Sequence, residues 1–189
     1  MAMPALPDFP VPGPYLRASA LDAFPDDGNR YEVVHGELLV SPSPSNRHQR
    51  IQERLGRLIG KYLEQARTAV LRYAPQGYDA GPTTRVEPDL GVIPAALDNQ
   101  ETPYQAGDLL FVVELLSPST TRADRFTKRR LYQEAGVPTY WIVDLDAEAI
   151  EVWTPGATFP LVARERVEWG APGAGEPLVI EVPALFAPI

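Results

Sequence analysis

Three residues of this chain have the types and the order that metal-assisted phosphodiester hydrolysis needs. They are Asp89 in Glu87-Pro88-Asp89-Leu90, Glu114 in Val112-Val113-Glu114-Leu115, and Lys128. Such hydrolysis uses hard oxygen ligands to hold Mg2+ or Mn2+, and a cation to offset charge building on the phosphoryl oxygens. The metal polarises the phosphoryl oxygen and lowers the pKa of its bound water. Asp89 and Glu114 supply the oxygens, and Lys128 supplies the cation that orients or activates the water. Lysine is nearly absent elsewhere: of 17 basic residues only Lys61 and Lys128 are lysine. A compact ammonium kept among planar guanidiniums points to a site that uses a point charge. Each residue also has a plainer reading. Asp89 is then a turn acid after Pro88, Glu114 a structural ion-pair partner of Arg85 or Arg125, and Lys128 a surface partner of Asp124 one helical turn back.

The elements that must position these groups are legible from periodicity. Ser19 is placed to cap a short helix over Ala20 to Phe24. Tyr31 to Val34 and Glu37 to Val40 flank His35-Gly36 and predict a β-hairpin. Ser45 to Ala66 is the strongest helix, with Ile51, Leu55, Leu58, Ile59, Tyr62 and Leu63 on one apolar face. Arg47, Arg50, Arg54, Arg57 and Lys61 make a basic stripe beside it, a solvated face or a set of phosphate contacts. Gly56 and Gly60 each weaken that helix by about 1 kcal/mol relative to alanine, so either packing compensates or a neighbour approaches closely there. His48 reads as a helix-surface histidine, with a proton shuttle as the alternative.

Ala69 to Tyr73 reads as a strand, and Arg85 to Ile93 as a strand interrupted at Pro88. Leu109 to Leu116 is nearly all apolar and predicts a strand buried on both faces. Glu114 lies inside that run, where an acid is costly without a cation or a strong hydrogen-bond donor. A helix follows Ser117-Pro118-Ser119-Thr120 and stops at Gly136, and Thr139 to Leu145 is a second buried strand. Trp141 and Trp153 read as core, and Asp144 as a turn residue. Short strands with many turns fill the chain from Pro155 onward. The pattern predicts an α/β (α+β) fold, a central mixed sheet flanked by helices.

Composition sets the limits. A length of 189 residues fits one domain, 1–189, with a proline-rich arm over 1–15. No apolar run approaches the roughly 18 residues of a membrane span. Cysteine is absent, which excludes thiolate metal sites and cysteine nucleophiles and fits a cytoplasmic protein. The net charge of -8 is unusual for a protein holding DNA through many phosphates, so any DNA contact is expected to be weak or local.

Several stretches taken together resemble the Uma-two family of restriction endonucleases, within the PD-(D/E)XK nuclease superfamily. They are Tyr31-Glu32-Val33-Val34-His35-Gly36-Glu37-Leu38, Pro88-Asp89-Leu90, Val113-Glu114-Leu115-Leu116-Ser117-Pro118-Ser119-Thr120, Asp124 with Lys128, and Gly136-Val137-Pro138-Thr139-Tyr140-Trp141-Ile142-Val143-Asp144. The resemblance covers Tyr31 to Trp153. It implies a restriction-endonuclease-like core and a Mg2+- or Mn2+-dependent DNA endonuclease leaving 5′-phosphates. Asp89, Glu114 and the Leu115 carbonyl would be metal ligands, and Glu37 a further acidic position of the site. The superfamily pattern puts its lysine two residues after the acid, where this chain has Leu116. The resemblance assigns that role to Lys128 on the next helix. Many nucleases of the superfamily pair, so a homodimer is expected. The alternative is a non-catalytic interaction protein on the same fold, a partner of a mobile-element or defence system.

Overall fold

The computed structural model describes residues 15–188. The proline-rich arm therefore lies outside the described residues, apart from Tyr15. In chain order the strands and α-helices are β1 (Arg30–Val34), β2 (Glu37–Ser41), α1 (Asn46–Ala66), β3 (Ala69–Tyr73), β4 (Tyr78–Asp79), β5 (Arg85–Val86), β6 (Leu90–Pro94), β7 (Tyr104–Gln105), β8 (Phe111–Leu115), α2 (Arg129–Glu134), β9 (Thr139–Asp144), β10 (Ala149–Trp153), β11 (Leu161–Ala163), β12 (Arg166–Trp169), β13 (Leu178–Glu181) and α3 (Val182–Phe186). A π-helical segment, Ala123–Lys128, runs directly into α2. The short helix expected at Ala20 to Phe24 is a 3-10 turn over Ala18–Ala23, and it begins after Arg17 without a side-chain cap. Among the described residues no helix is long and apolar enough to cross a membrane.

The central sheet has the order β11-β10-β9-β8-β6-β3. Only β8 and β9 are parallel in it, and the helical crossover between them makes that pairing possible. β8 is buried at every position, as its unbroken apolar run requires. Its alternating side chains divide the core. Phe111, Val113 and Leu115 pack on the side of α1, with Ile51, Leu55 and Ile59. Val112 packs on the opposite side with Leu131 and Tyr132 of α2. Glu114 has the parity of Val112, so its carboxyl points toward the helix that carries Lys128.

α1 begins at Ser45, whose hydroxyl accepts the His48 backbone N–H at 3.2 Å. Ile51, Leu55, Ile59 and Leu63 are its buried ridge, each worth about 1.5–3 kcal/mol as a side chain removed from water. Leu58, expected on that face, is 41% exposed. Gly56 has the close neighbour the sequence calls for: a Cβ there would lie within 3 Å of the Tyr73 ring. Gly60 has open space around it, so close approach does not explain that glycine.

The hairpin of β1 and β2 forms as predicted. His35 and Gly36 both have positive φ, 50° and 83°, the geometry of a two-residue turn that matches strand twist. The interruption at Pro88 is larger than a bulge. β5 joins the small sheet β2-β1-β5-β4-β7, while β6 joins the central sheet. Asp89 sits at the point of divergence, where the hairpin, α1 and the central sheet meet.

Candidate active site

Asp89, immediately before β6, and Glu114 of the neighbouring antiparallel strand β8 come together as the sequence requires. The Asp89 N–H donates to Glu114 Oε2 at 3.3 Å, and the Leu115 N–H donates to Asp89 Oδ2 at 2.8 Å. Both acids are buried, at 3% and 1% exposure. The Lys128 amine reaches them from the helix: Nζ donates to Glu114 Oε1 at 3.0 Å and pairs with Glu32 Oε2 at 2.7 Å. It also lies 3.6 Å from Asp124 Oδ1, so the Asp124 pairing exists, but it is buried rather than on an exposed face. The Tyr132 hydroxyl adds a second donor to Glu114 Oε1 at 3.1 Å.

The helix geometry explains how Asp124, Lys128 and Tyr132 share one row. In a regular α-helix, positions i and i+8 drift apart by about 80°. The wider turn of the π-helical segment between Asp124 and Lys128 offsets that drift, a use of π-turns frequent at functional sites. All three side chains therefore face the sheet at Glu114.

A different set of groups surrounds Asp89. Arg30 Nη1 donates to Oδ1 at 2.8 Å, and His48 Nε2 lies 3.1 Å from Oδ2. Gln52 Nε2 donates to the Asp89 carbonyl at 2.9 Å. His48 is thus no surface histidine. The N-terminal turn of α1 abuts the end of β6 and buries it to 6% exposure.

The electrostatics of the two acids differ in sign. Burial would raise the Asp89 pKa, but the His48 hydrogen bond, the Arg30 charge and the Leu115 N–H hold it well below the usual carboxylate range. Burial pushes Glu114 up to about 8; Lys128 opposes the shift, while Asp124, Asp89 and Glu32 add to it. Lys128 itself is raised. Burial opposes its charge, but Glu114, Glu32 and Asp124 outweigh that cost and keep it an ammonium.

A cleft of about 1070 Å3 opens on one side of this cluster. Arg30, His48, Glu87, Asp89, Leu115 and Leu116 are among its lining residues, whereas Glu114 and Lys128 are not. Lys128, Glu32 and Asp124 border a separate pocket of about 130 Å3 between β2 and the π-helical segment. Leu116, at the position where the superfamily pattern has lysine, presents an apolar side chain to the cleft.

The structure does not bring Glu37 into this network. It is exposed at the turn end of β2, opposite Val34, and the hairpin acid that reaches Lys128 is Glu32. Glu32 and Glu37 lie on the same face of the hairpin, opposite Leu39 and Val34, so strand parity in the sequence does not separate them. Neither arginine weighed as a partner of Glu114 pairs with it. Arg85 pairs with Asp79 and Asp22, and Arg125 with Asp144 and Glu151. Asp144 has the expected turn role, its Oδ1 accepting the N–H groups of Asp146 and Ala147. Arg47 of the basic stripe pairs with Asp146 and Glu148, and Arg54 caps the carbonyls of Leu185 and Ala187.

The donor set fits a hard divalent cation by chemistry and by charge. With all four ionised, Glu32, Asp89, Glu114 and Asp124 exceed Lys128 and Arg30 by two negative charges, the charge one such ion carries. Among the described residues no three His, Asp or Glu side chains are arranged to hold a metal by themselves.

The chain resembles a solved structure described as "a putative nuclease belonging to DUF820 from Anabaena variabilis ATCC 29413". The two are 22% identical and superpose with a TM-score of 0.72 over 90% of this chain and 97% of the other, which shows a shared fold. No curated protein matches the chain. Residues 18–173, most of the described chain and all of the acid cluster, match the Uma2 family, described as "Putative restriction endonuclease", and the chain belongs to that family.

Proposed function

We propose that this protein is a divalent-metal-dependent DNA endonuclease of the PD-(D/E)XK type. The observation that carries the reading is the convergence of Asp89, which lines a large cleft, with Glu114 behind it, linked through the 3.3 Å backbone contact, and with the Lys128 amine 3.0 Å from Glu114. Asp89, Glu114 and the Leu115 carbonyl would hold Mg2+ or Mn2+. When bound, the ion supplies polarisation of the phosphoryl oxygen and a water of lowered pKa.

The chain's own groups do the rest. Asp89 is kept ionised by Arg30, His48 and the Leu115 N–H, so a ligand oxygen is ready at any ordinary pH. Lys128 fixes the Glu114 carboxyl through Oε1 and leaves Oε2 turned toward Asp89. Glu32 and Asp124 hold the lysine in turn, so it is a positioning residue one layer behind the reacting water. The acidic net charge limits DNA to local contact at the cleft. The homodimer belongs to the same reading and is measured by sedimentation.

The test combines purified protein, Mn2+ and supercoiled plasmid. Nicking is expected for the wild type and is lost in Asp89→Asn and Lys128→Met. Nicking that persists unchanged in both variants means a contaminating nuclease and rejects the assignment.

A second reading, a non-catalytic interaction protein, is favoured by one observation. Three donors already engage the Asp89 carboxylate, from Arg30, His48 and Leu115. Titration calorimetry with Mn2+ separates the two, since absence of binding at millimolar ion supports the interaction protein.

A further inference from the structure

Three arginines line the cleft among the described residues: Arg30, Arg47 and Arg125. Two have surface-side partners. Arg47 pairs with Asp146 and Glu148, and Arg125 with Asp144 and Glu151. Arg30 alone is paired with the acid cluster, at 2.8 Å from Asp89 Oδ1 and 3.9 Å from Glu32 Oε2. Its side chain is 21% exposed, so it stands at the boundary between the cluster and the cleft.

The Asp89 oxygens are unequal. Oδ2 accepts the Leu115 N–H and faces His48, both anchored in the buried scaffold. Oδ1 faces Arg30, which enters from the start of β1. The oxygen a cation can most readily take is therefore the one Arg30 now contacts. Like charges cannot share that oxygen cheaply. Two like charges in contact repel appreciably at the effective dielectric of a protein surface. A guanidinium cannot escape by deprotonation, so it must move.

Resting on the nuclease reading, we infer that Arg30 is a catalytic residue with two stations, a counter-ion to Asp89 before metal binds and a phosphate-contacting cation afterwards. The charge count favours both ends of the movement. With all four acids ionised, a divalent ion and Lys128 still leave the cluster with one excess negative charge, which keeps the guanidinium near. The phosphodiester then adds a charge on the cleft side, where Arg30 is the available fork. Bidentate recognition of a phosphate is a property of arginine that lysine does not reproduce. No bond is made or broken by Arg30; it exchanges one anionic partner for another.

The experiment uses the full chain and two variants, Arg30→Ala and Arg30→Lys, each checked for folding by thermal melting. Mn2+ affinity is read by calorimetry. Affinity for a short DNA duplex is read by fluorescence anisotropy with Ca2+ as a non-cleaving ion, and cleavage by single-turnover rates. Arg30→Ala is expected to bind Mn2+ about tenfold more tightly, because a competing cation is gone. The same variant is expected to bind DNA about tenfold more weakly and to cleave about 100-fold more slowly. Arg30→Lys is expected to keep near wild-type Mn2+ affinity yet cleave at least about tenfold more slowly. If the alanine variant does not fold, the lysine variant decides. Unchanged or weaker Mn2+ binding by Arg30→Ala, or wild-type cleavage by Arg30→Lys, overturns the inference while leaving the nuclease reading intact. A wild type that neither binds Mn2+ nor cleaves overturns both.

Discussion

The two buried acids Asp89 and Glu114 lie within one hydrogen bond of each other, yet their surroundings are opposites. Asp89 borders the cleft and is surrounded by donors and a guanidinium, while Glu114 is closed off and faces three other carboxylates with one ammonium among them. The first is held ionised and the second is pushed toward neutrality. The division follows from the sheet. Strand parity turns Glu114 into the face covered by the Lys128 helix, whereas the break at Pro88 leaves Asp89 at the sheet's end, open to α1 and the hairpin. On the proposed reading, a metal ion entering from the cleft would meet a ready anion first and a fixed, buried one second.

The largest expected effect tests whether the closed half depends on its single cation. Lys128→Met leaves Glu32, Glu114 and Asp124 facing one another with only Arg30, 3.9 Å from Glu32, as a nearby cation. Removing one partner of a buried pair costs about 3–5 kcal/mol. Arg30→Met, at the boundary with the cleft, lets water reach Asp89 and costs about 1–3 kcal/mol, the range of a lost hydrogen bond to a charged group. Urea unfolding of the metal-free protein measures both. If the two costs are equal, or their order is reversed, the distinction between a closed and an open half is wrong.

A second test sharpens the comparison through pH. Glu114 is raised from 4.5 to about 8 in the fold, so between those values the folded state holds a proton that the unfolded chain has released. That contribution is complete below pH 4.5 and is lost as pH rises through 8. Asp124 and Glu87, also raised by burial, slope the same way. Asp89 is lowered from 3.8, so its contribution is present above that value and lost as pH falls toward its folded pKa. In EDTA the melting temperature is expected to fall between pH 5 and pH 8. Glu114→Gln is expected to flatten that slope, and Asp89→Asn to leave it in place. A slope identical in wild type and Glu114→Gln assigns the shared proton elsewhere.

The sequence made one half of this site much more legible than the other. Asp89, Glu114 and Lys128 are visible because chemistry restricts their types: an acid after a strand-breaking proline, an acid inside an apolar strand, a lysine in an arginine-rich chain. The hairpin, α1 and the two buried strands β8 and β9 are visible because periodicity and turn chemistry are local. Glu32 and His48 are not, because their inclusion depends on how separate elements dock. The hairpin offers two acids, and only the packing of β1 against the Lys128 helix selects Glu32 over Glu37. His48 has the spacing of a surface residue until the end of β6 is placed beside it. The π-helical segment left no periodic trace, since a single wide turn shifts a pattern less than the scatter of apolar residues does.

The smallest effect compares one neutral donor on each side. Tyr132→Phe removes the hydroxyl that donates to Glu114 Oε1 at 3.1 Å, in a region where both residues are fully buried. No cleft water can replace it, so the lost hydrogen bond is expected to cost about 1.5–3 kcal/mol. Removing the donor also takes away support for the ionised carboxyl, so the variant's melting temperature should fall more at pH 8 than at pH 5. His48→Ala removes a contact of similar length, 3.1 Å, from Asp89 Oδ2. There the cleft admits water, and Leu115 still donates to the same oxygen, so about 1 kcal/mol or less is expected. The Ser45 cap uses the His48 backbone and survives the substitution. A larger loss for His48→Ala than for Tyr132→Phe would mean that the cleft does not hydrate Asp89. The acid would then be as enclosed as Glu114, and a cation entering from the cleft would have to displace packed side chains rather than water.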